Sequence, residues 1–180
     1  MAQPLILVLG GTRSGKSAHA LELSRSLAGD APAMFIATAL PGDPELDERI
    51  ARHRRQRPAS WPTADAGPDL AATIRAATTG APILIEGLTL WLSALTGDEP
   101  ARIDVLLDGP VAAAIEAIRA HGGPVVVVSD ELGLGMVPLD PVGRSFRDLV
   151  GIVHQRFAAT ADEVRFVIAG LPMILKGRAR

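Results

Sequence analysis

The chain has no cysteine, no asparagine and only two lysines, and aromatic side chains make up just 3% of it. Without cysteine there are no disulfides, no thiolate metal sites and no thiol catalysis. Without asparagine the NKxD signature with which GTPase switches read guanine cannot be written. Scarce aromatics leave the core to Ala, Val, Leu and Ile, and give single-stranded nucleic acid little to stack on. No apolar run approaches the roughly 20 residues that cross a bilayer. The opening MAQPLILVLGG is too short, and too uncharged at its start, to read as a secretory signal. A cytoplasmic location is the resulting expectation. Charge is balanced, 18 basic side chains against 20 acidic, so no overall field draws the protein onto nucleic acid or an anionic membrane. Basic charge that does cluster is therefore informative.

What is present fits one domain spanning residues 1–180, long enough to bury a real core. Short apolar runs alternate with helical patterns. Strands are expected at 4–10, 33–39, 82–87, 124–131 and 163–172. Helices are expected at 14–29, 44–58, 67–80, 88–95, 101–123 with a break at Gly109-Pro110, and 140–161. Such alternation predicts an α/β fold, a mostly parallel sheet flanked by helices. Ligands of such sheets sit beyond the carboxyl ends of the strands. The segments that follow the strands are GGTRSGKS, ATALPGD, EGLTLW, SDELGLGMVP and GLPMILK, which gather glycine, hydroxyl and acidic groups at one edge.

Gly10-Gly11-Thr12-Arg13-Ser14-Gly15-Lys16-Ser17 satisfies GxxxxGK followed by Ser or Thr, between an expected strand and an expected helix. In a P-loop the glycines let successive N–H groups turn toward a phosphate chain, at the positive end of a helix. Lys16 would reach the outer phosphates and Ser17 would offer a hydroxyl to magnesium. One of only two lysines occupies the required position, in a chain that otherwise uses sixteen arginines for its basic charge. An acid at a neighbouring strand end completes a magnesium site in such proteins. Glu86 is the first candidate, with Asp130 and Glu131 beside it. A lone P-loop domain of this length suggests a small-molecule kinase with a P-loop NTPase-like (RecA-like) sheet.

RIARHRRQRP, residues 49–58, sets five arginines around His53. Three readings stand on the residues alone: the solvated end of a helix, a nucleic-acid grip, or part of a phosphate-handling active site. The missing aromatics and the absence of a broad basic face weigh against nucleic acid.

GGTRSGKS, FIATA, RIxxHRxxRP, LIEGLTLWL, VVVSDELGLGMVP and FRDLVGIVHQRFAATADEV…AGLPMILK follow in order along nearly the whole chain. In this the sequence resembles the bifunctional adenosylcobinamide kinase and adenosylcobinamide-phosphate guanylyltransferase family of cobalamin biosynthesis. The resemblance implies phosphorylation of adenosylcobinamide by ATP or GTP. Transfer of GMP from GTP through a histidine–GMP intermediate would follow, giving adenosylcobinamide-GDP. By position, the guanylylated histidine falls on His53, with Lys16 as the second catalytic residue. Nucleotide contacts fall on Gly10, Gly11, Thr12, Arg13, Ser14, Gly15, Lys16 and Ser17. They fall also on Ala37, Thr38, Ala39, Arg54, Arg55, Gln56, Arg57, Asp65 and Glu86. Magnesium would be held by Ser17 and Glu86. The family also implies a small homo-oligomer, a trimer, that binds no nucleic acid and spans no membrane.

Imidazole chemistry suits the role given to His53. A neutral ring is a nucleophile near pH 7, and its phosphoramidate passes the nucleotide on. Arginine forks bind the negative oxygens, and their charge disfavours protonation of the ring. On a helix Arg49, His53 and Arg57 share one face.

Three positions depart from the family pattern: Asp65 stands where a glutamate is usual, Asp130 where asparagine is usual, and Gly87 where cysteine is frequent. His19, His121 and His154, like Trp61 and Trp91, are expected in packing or surface roles. ELGLGMVPLD (131–140) reads either as an ordinary mobile loop or as a wall for a bulky corrinoid. Two alternatives remain: a kinase for another small alcohol without nucleotidyl transfer, which would form no covalent nucleotide, and a nucleotide-binding switch, which would consume no acceptor.

Overall fold

The structure is a computed structural model that describes residues 4–39, 42, 48, 51, 54, 55 and 57–177. Strand β1 (Leu5–Gly10) leads into α1 (Lys16–Ala28), followed by β2 (Met34–Ala37) and β3 (Thr63–Asp65). Next come α2 (Leu70–Ala76), β4 (Ile83–Glu86), α3 (Leu88–Thr96) and α4 (Ile103–Leu106). A π-helical turn (Leu107–Val111) then joins α4 to α5 (Ala112–His121). β5 (Val125–Asp130), α6 (Pro141–Thr160), β6 (Glu163–Ile168) and β7 (Leu171–Lys176) complete the described chain. The break expected at Gly109-Pro110 is this wide turn, because proline cannot donate to the helical ladder.

One seven-stranded sheet runs β3-β2-β4-β5-β1-β6-β7. All pairings are parallel except the last, in which β7 runs against β6. Side chains alternate between the two faces, so each strand feeds two cores. Leu5, Leu7 and Leu9 of β1 join Ile83 and Ile85, Val125 and Val127, and the buried sides of α2, α3, α5 and α6. Ile6 and Val8 join Phe35, Leu84, Val126, Val128 and Trp61 on the other face, where Ala20, Leu21, Leu23 and Leu27 of α1 cover them. Each fully buried Leu, Ile or Val contributes about 1.5–3 kcal/mol relative to exposure. Aliphatic side chains thus hold a fold that has few rings. Both tryptophans are buried, and the Trp91 indole donates to the Pro68 carbonyl at 2.9 Å.

Two strands differ from the sequence expectation. The run 163–172 is a hairpin rather than one strand, since Ala169 (φ 50°) and Gly170 (φ 80°) form a two-residue turn with Ile168 opposite Leu171. Positive φ at both central residues is the geometry of a tight hairpin turn. β3 has only three residues and pairs with the end of β2. The helix expected at 44–58 falls largely outside the described residues; Glu48, Ala51, Arg54 and Arg55, which are described, have helical backbone.

Candidate active site

β1 lies inside the sheet, between β5 and β6, and its carboxyl end opens into the P-loop. Gly10 stands in register with Asp130, and the Glu131 N–H donates to the Gly10 carbonyl at 3.0 Å. The loop closes on itself through the Ser14 N–H, which donates to the Gly11 carbonyl at 3.2 Å. Gly15 turns the chain into α1 at φ 93°, and Arg13 also holds a positive φ of 57°. A side chain at Gly15 would meet Gly170 Cα at 3.0 Å, so the β6–β7 turn sits against the loop.

Lys16 is 4% exposed, unusual for a lysine. Its Nζ lies 2.5 Å from Asp130 Oδ1 and 3.3 Å from the Gly11 carbonyl. The ammonium is thus held over the P-loop against a carboxylate from the neighbouring strand. Val126 and Val128 face α1, so alternation sends Asp130 to that same face. Ser17, the next residue of α1, is half-buried.

Glu86 and Asp65 lie further along the edge. Both are in register with Ala37, Asp65 on β3 and Glu86 on β4, so they flank β2 on the face that Phe35 and Ala37 share. Thr38 and Ala39 follow directly. The Thr38 hydroxyl is within bonding reach of the Glu86 carbonyl (2.9 Å) and the Gly87 carbonyl (2.5 Å). Arg57 stacks over the Phe35 ring, 3.8 Å from its centroid, and donates to Thr63 Oγ1 at 3.0 Å. Burial and then Arg54 lower its affinity for a proton, while the charges of Glu86 and Asp65 oppose them. Arg57, Asp65 and Glu86 form one charged group beside Thr38; Lys16 and Asp130 form another beside Ser17. Glu86 is close enough to Arg57 to act on its charge, and Asp130 is the acid on the P-loop lysine.

Arg54 and Arg55 are exposed. His53 and Gln56, with Arg49 and Arg52, lie outside the described residues.

The remaining histidines divide. His121 is buried and its Nε2 lies 2.7 Å from the Ala81 carbonyl, which ties α5 to the start of β4. His19 accepts from Arg165 at 3.0 Å; burial, then that arginine, lowers its pKa. His154 is buried on α6, in keeping with the packing role expected of it, and its ring is also bonded. Its Nε2 lies 2.8 Å from Ser129 Oγ, and Ser129 Oγ is 2.9 Å from Thr89 Oγ1. Thr89 Oγ1 in turn accepts from the Asp130 N–H at 2.9 Å. On its other side His154 Nδ1 faces Glu131 Oε2 at 3.3 Å, out of line for a good hydrogen bond. Burial pushes the His154 pKa down, against the pull of Glu131 and Asp130. Its signal in the sequence was position: it sits on the buried stripe of α6 with Val150, Val153 and Phe157.

The segment 131–140 leaves the site with an apolar tip. Leu134, Met136, Val137 and Leu139 are exposed, Leu139 by 97%. α6 holds both ends: Arg147 donates to the Gly133 carbonyl at 2.6 Å and Arg144 to the Leu139 carbonyl at 2.6 Å.

Among the described residues no helix is long and apolar enough to cross a membrane. No three of their His, Cys, Asp or Glu side chains converge as a metal cluster. The oxygen donors beside Lys16, a serine hydroxyl and a carboxylate, are nevertheless the kind that magnesium takes together with phosphate and water.

Solved structures agree on the fold. A KaiC-like protein from Pyrococcus horikoshii superposes with a TM-score of 0.52 at 12% identity, over 92% of this chain and 71% of that one. An ATPase domain gives 0.53 at 14% identity, over 98% of this chain and 78% of that one. The sheet is that of the P-loop NTPases. Sequence relatives are more specific. A bifunctional adenosylcobalamin biosynthesis protein, CobP, of Pseudomonas aeruginosa is 44% identical over 95% of this chain and 96% of its own. Its counterpart CobU of Salmonella typhimurium is 39% identical over 96% and 99%. The family model described as cobinamide kinase / cobinamide phosphate guanyltransferase matches residues 6–175. With its P-loop lysine seated on Asp130 and its arginine-rich edge alongside, this chain belongs to the cobinamide kinase / cobinamide phosphate guanyltransferase family.

Proposed function

We propose that the protein is a bifunctional transferase of cobalamin biosynthesis, which phosphorylates adenosylcobinamide and then attaches GMP to the product. The observation that carries the reading is the buried Lys16 ammonium, held over the P-loop by Asp130. A triphosphate entering the loop offers that ammonium a second set of negative oxygens. The α1 N-terminus and the inward N–H groups add to the attraction.

In the first reaction the aminopropanol hydroxyl of adenosylcobinamide bonds to the γ-phosphorus of ATP or GTP. The bond from that phosphorus to the bridging oxygen breaks, the diphosphate leaves and the hydroxyl proton passes to water. Lys16 neutralises charge on the outer phosphates during the transfer. Ser17 and Glu86 would hold magnesium, which when bound screens the phosphate oxygens; Asp130, the acid on Lys16, would stand beside them as a second carboxylate. The close-packed backbone at Gly10, with Gly11 and the contacts of Thr12, Arg13, Ser14 and Gly15, would complete the cradle.

In the second reaction a ring nitrogen of His53 bonds to the α-phosphorus of GTP, and pyrophosphate leaves. A phosphate oxygen of adenosylcobinamide phosphate then attacks the same phosphorus. The P–N bond breaks, the imidazole is restored and adenosylcobinamide-GDP is released. Arg54, Arg55, Gln56 and Arg57 would hold the triphosphate during this exchange, with Ala37, Thr38, Ala39 and Asp65 toward the nucleoside. We place the enzyme in the cytoplasm, as one domain in a homotrimer in which a neighbouring subunit's His53 segment completes the site. The segment 131–140, apolar and exposed, would form the wall for the corrinoid.

Incubation with α-labelled GTP and magnesium, followed by denaturing electrophoresis, tests the reading. Acid-labile, alkali-stable label that is absent from His53→Ala is expected. Label persisting in that variant moves the nucleophile elsewhere. No label, with adenosylcobinamide still phosphorylated, reduces the protein to a small-molecule kinase.

A further inference from the structure

Ser129, His154 and Glu131 have the order of a hydrolytic triad, but Ser129 is 0% exposed and no substrate can reach it. The group therefore does something other than attack. Its position says what. Ser129 and Glu131 flank Asp130 in sequence, and Thr89 holds the Asp130 main chain from α3. The chain of contacts runs Asp130 N, Thr89 Oγ1, Ser129 Oγ, His154 Nε2, then His154 Nδ1 and Glu131 Oε2.

Proton accounting gives this chain a direction. An ionised Glu131 only accepts, so the proton of a neutral His154 belongs on Nδ1, facing it. Nε2 is then an acceptor and takes the Ser129 hydroxyl proton. Ser129 Oγ accepts from Thr89, and Thr89 Oγ1 accepts from the Asp130 N–H. Every hydroxyl in the chain gives one proton and takes one. With the opposite tautomer Nδ1 would turn a lone pair toward a carboxylate 3.3 Å away.

We propose that His154 is a positioning residue for phosphoryl transfer: through Ser129 and Thr89 it fixes the Asp130 backbone, and hence the carboxylate on Lys16. Glu131, whose other oxygen accepts the Gly133 N–H at 2.5 Å, anchors the outer end. The chain thus links the P-loop lysine to the root of the 131–140 segment. The inference rests on the P-loop being the site of phosphoryl transfer, and nothing in it touches the guanylylation step.

The experiment compares wild type with His154→Leu, His154→Gln and Ser129→Ala in steady-state phosphorylation of adenosylcobinamide by ATP. Tm is followed in parallel, and ¹⁵N NMR reads the imidazole of the wild type. Gln keeps one acceptor and one donor at about the ring-nitrogen spacing; Leu keeps only volume. A kcat lowered about tenfold in His154→Leu, the lower end of losing a supporting shell, is expected. The ATP KM is expected to stay within about twofold, and Gln to recover most of the loss, since restored donor and acceptor restore the chain. The NMR expectation is an Nδ1–H, Nε2-acceptor tautomer. If His154→Leu does not fold, Ser129→Ala must show the same kcat loss. Unchanged kcat in the folded variants, a loss that tracks Tm and is not recovered by Gln, or an Nε2–H ring each overturns the proposal. A wild type unable to phosphorylate adenosylcobinamide would instead sink the functional reading, leaving the tautomer to decide the chain.

Discussion

The Gly170 N–H donates to the Ser14 carbonyl at 2.7 Å, so the turn of the last hairpin is bonded to the phosphate loop. This contact joins residues 156 positions apart and ties the last hairpin, whose edge strand is exposed and largely apolar, to the loop. Gly15 lies in the same contact, with a positive φ and Gly170 Cα 3.0 Å from where a Cβ would be. Gly15→Ala is expected to cost about 2 kcal/mol of stability, from left-handed backbone strain and the contact together. Its ATP affinity is expected to fall about tenfold, since the N–H cradle shifts with the turn. Gly170→Ala meets nothing within 4 Å, so only its φ of 80° is penalised. That variant is expected to lose about 1 kcal/mol and to keep its ATP affinity. Urea unfolding and calorimetry separate the two; an equal ATP loss in both would mean the turn acts on the loop in another way.

Asp130 and Lys16 make opposing demands on the nucleotide. The carboxylate holds the ammonium in place, yet adds a negative charge where phosphates must come. Asp130→Asn keeps an oxygen donor and removes that charge. Without magnesium, ATP is therefore expected to bind a few-fold more tightly to the variant, by Coulomb's law at short range. With magnesium the concentration for half-maximal kinase activity is expected to rise several-fold, because a neutral amide is a weaker ligand than a carboxylate. Titrations of ATP with and without the metal check both signs. Unchanged magnesium dependence would take Asp130 out of the metal site and leave the metal to Ser17 and Glu86.

Among the described arginines of residues 49–58, Arg57 is held in place, stacked on Phe35 and bonded to Thr63. Lysine cannot stack and fork in this way. Arg57→Lys is expected to slow GMP labelling of the protein about fivefold, in line with the roughly 1 kcal/mol such a stack contributes. Kinase turnover is expected to stay within about twofold of wild type, since Arg57 lies at the other end of the edge. A labelling time course with GTP decides it. Equal rates would leave Arg57 a packing residue.

The parts of this site that chemistry writes locally were legible, and the parts made by folding were not. Eight consecutive residues, 10–17, carry the P-loop because a phosphate must be met by successive N–H groups. A mostly parallel sheet followed from alternating runs, down to the strand ends that hold Glu86 and Asp130, but its strand order and the short β3 did not. β7 was hidden because the strand expected at 163–172 ran straight through the Ala169-Gly170 turn, and Pro172 speaks against a further strand. Its lysine, Lys176, donates to the Ala158 and Ala159 carbonyls at 2.8 and 3.2 Å, tying that strand to α6. His154 was hidden differently: its partners Ser129 and Glu131 lie some two dozen residues earlier, on a strand whose turn toward α6 no spacing announces.

His154 makes stability depend on pH in one direction. Its folded pKa lies below the ordinary value, chiefly through burial, although Glu131 and Asp130 oppose the shift and Ser129 and Thr89 are neutral. Below about pH 6.5, the ordinary histidine value, the unfolded chain binds a proton that the folded chain resists. Stability is therefore full above that pH and falls as pH drops toward the folded pKa, then levels off. His154→Gln removes this contribution. Its stability is expected to vary less between pH 7 and pH 5 than that of wild type, measured by urea unfolding at fixed ionic strength. A steeper fall in the variant would mean that the ring gains, rather than resists, a proton on folding.

Gly87 is held close against Thr38. Its φ is 99°, and a Cβ would lie 2.7 Å from Thr38 Oγ1, which is itself 2.5 Å from the Gly87 carbonyl. A cysteine at 87 would force Thr38 aside and break its bonds to the Glu86 and Gly87 carbonyls. Gly87→Cys alone is expected to destabilise by about 2–3 kcal/mol, combining backbone strain with a buried hydroxyl left without its partner. Thr38→Ser in the same chain removes a methyl but keeps the hydroxyl, so it relieves little. Thr38→Ala removes the obstructing oxygen. The double variant Gly87→Cys, Thr38→Ala is expected to be more stable than the sum of its single changes by about 1 kcal/mol, as contacting residues couple. A double-mutant cycle in urea measures that coupling, and strict additivity would show that Thr38 does not limit what position 87 can carry.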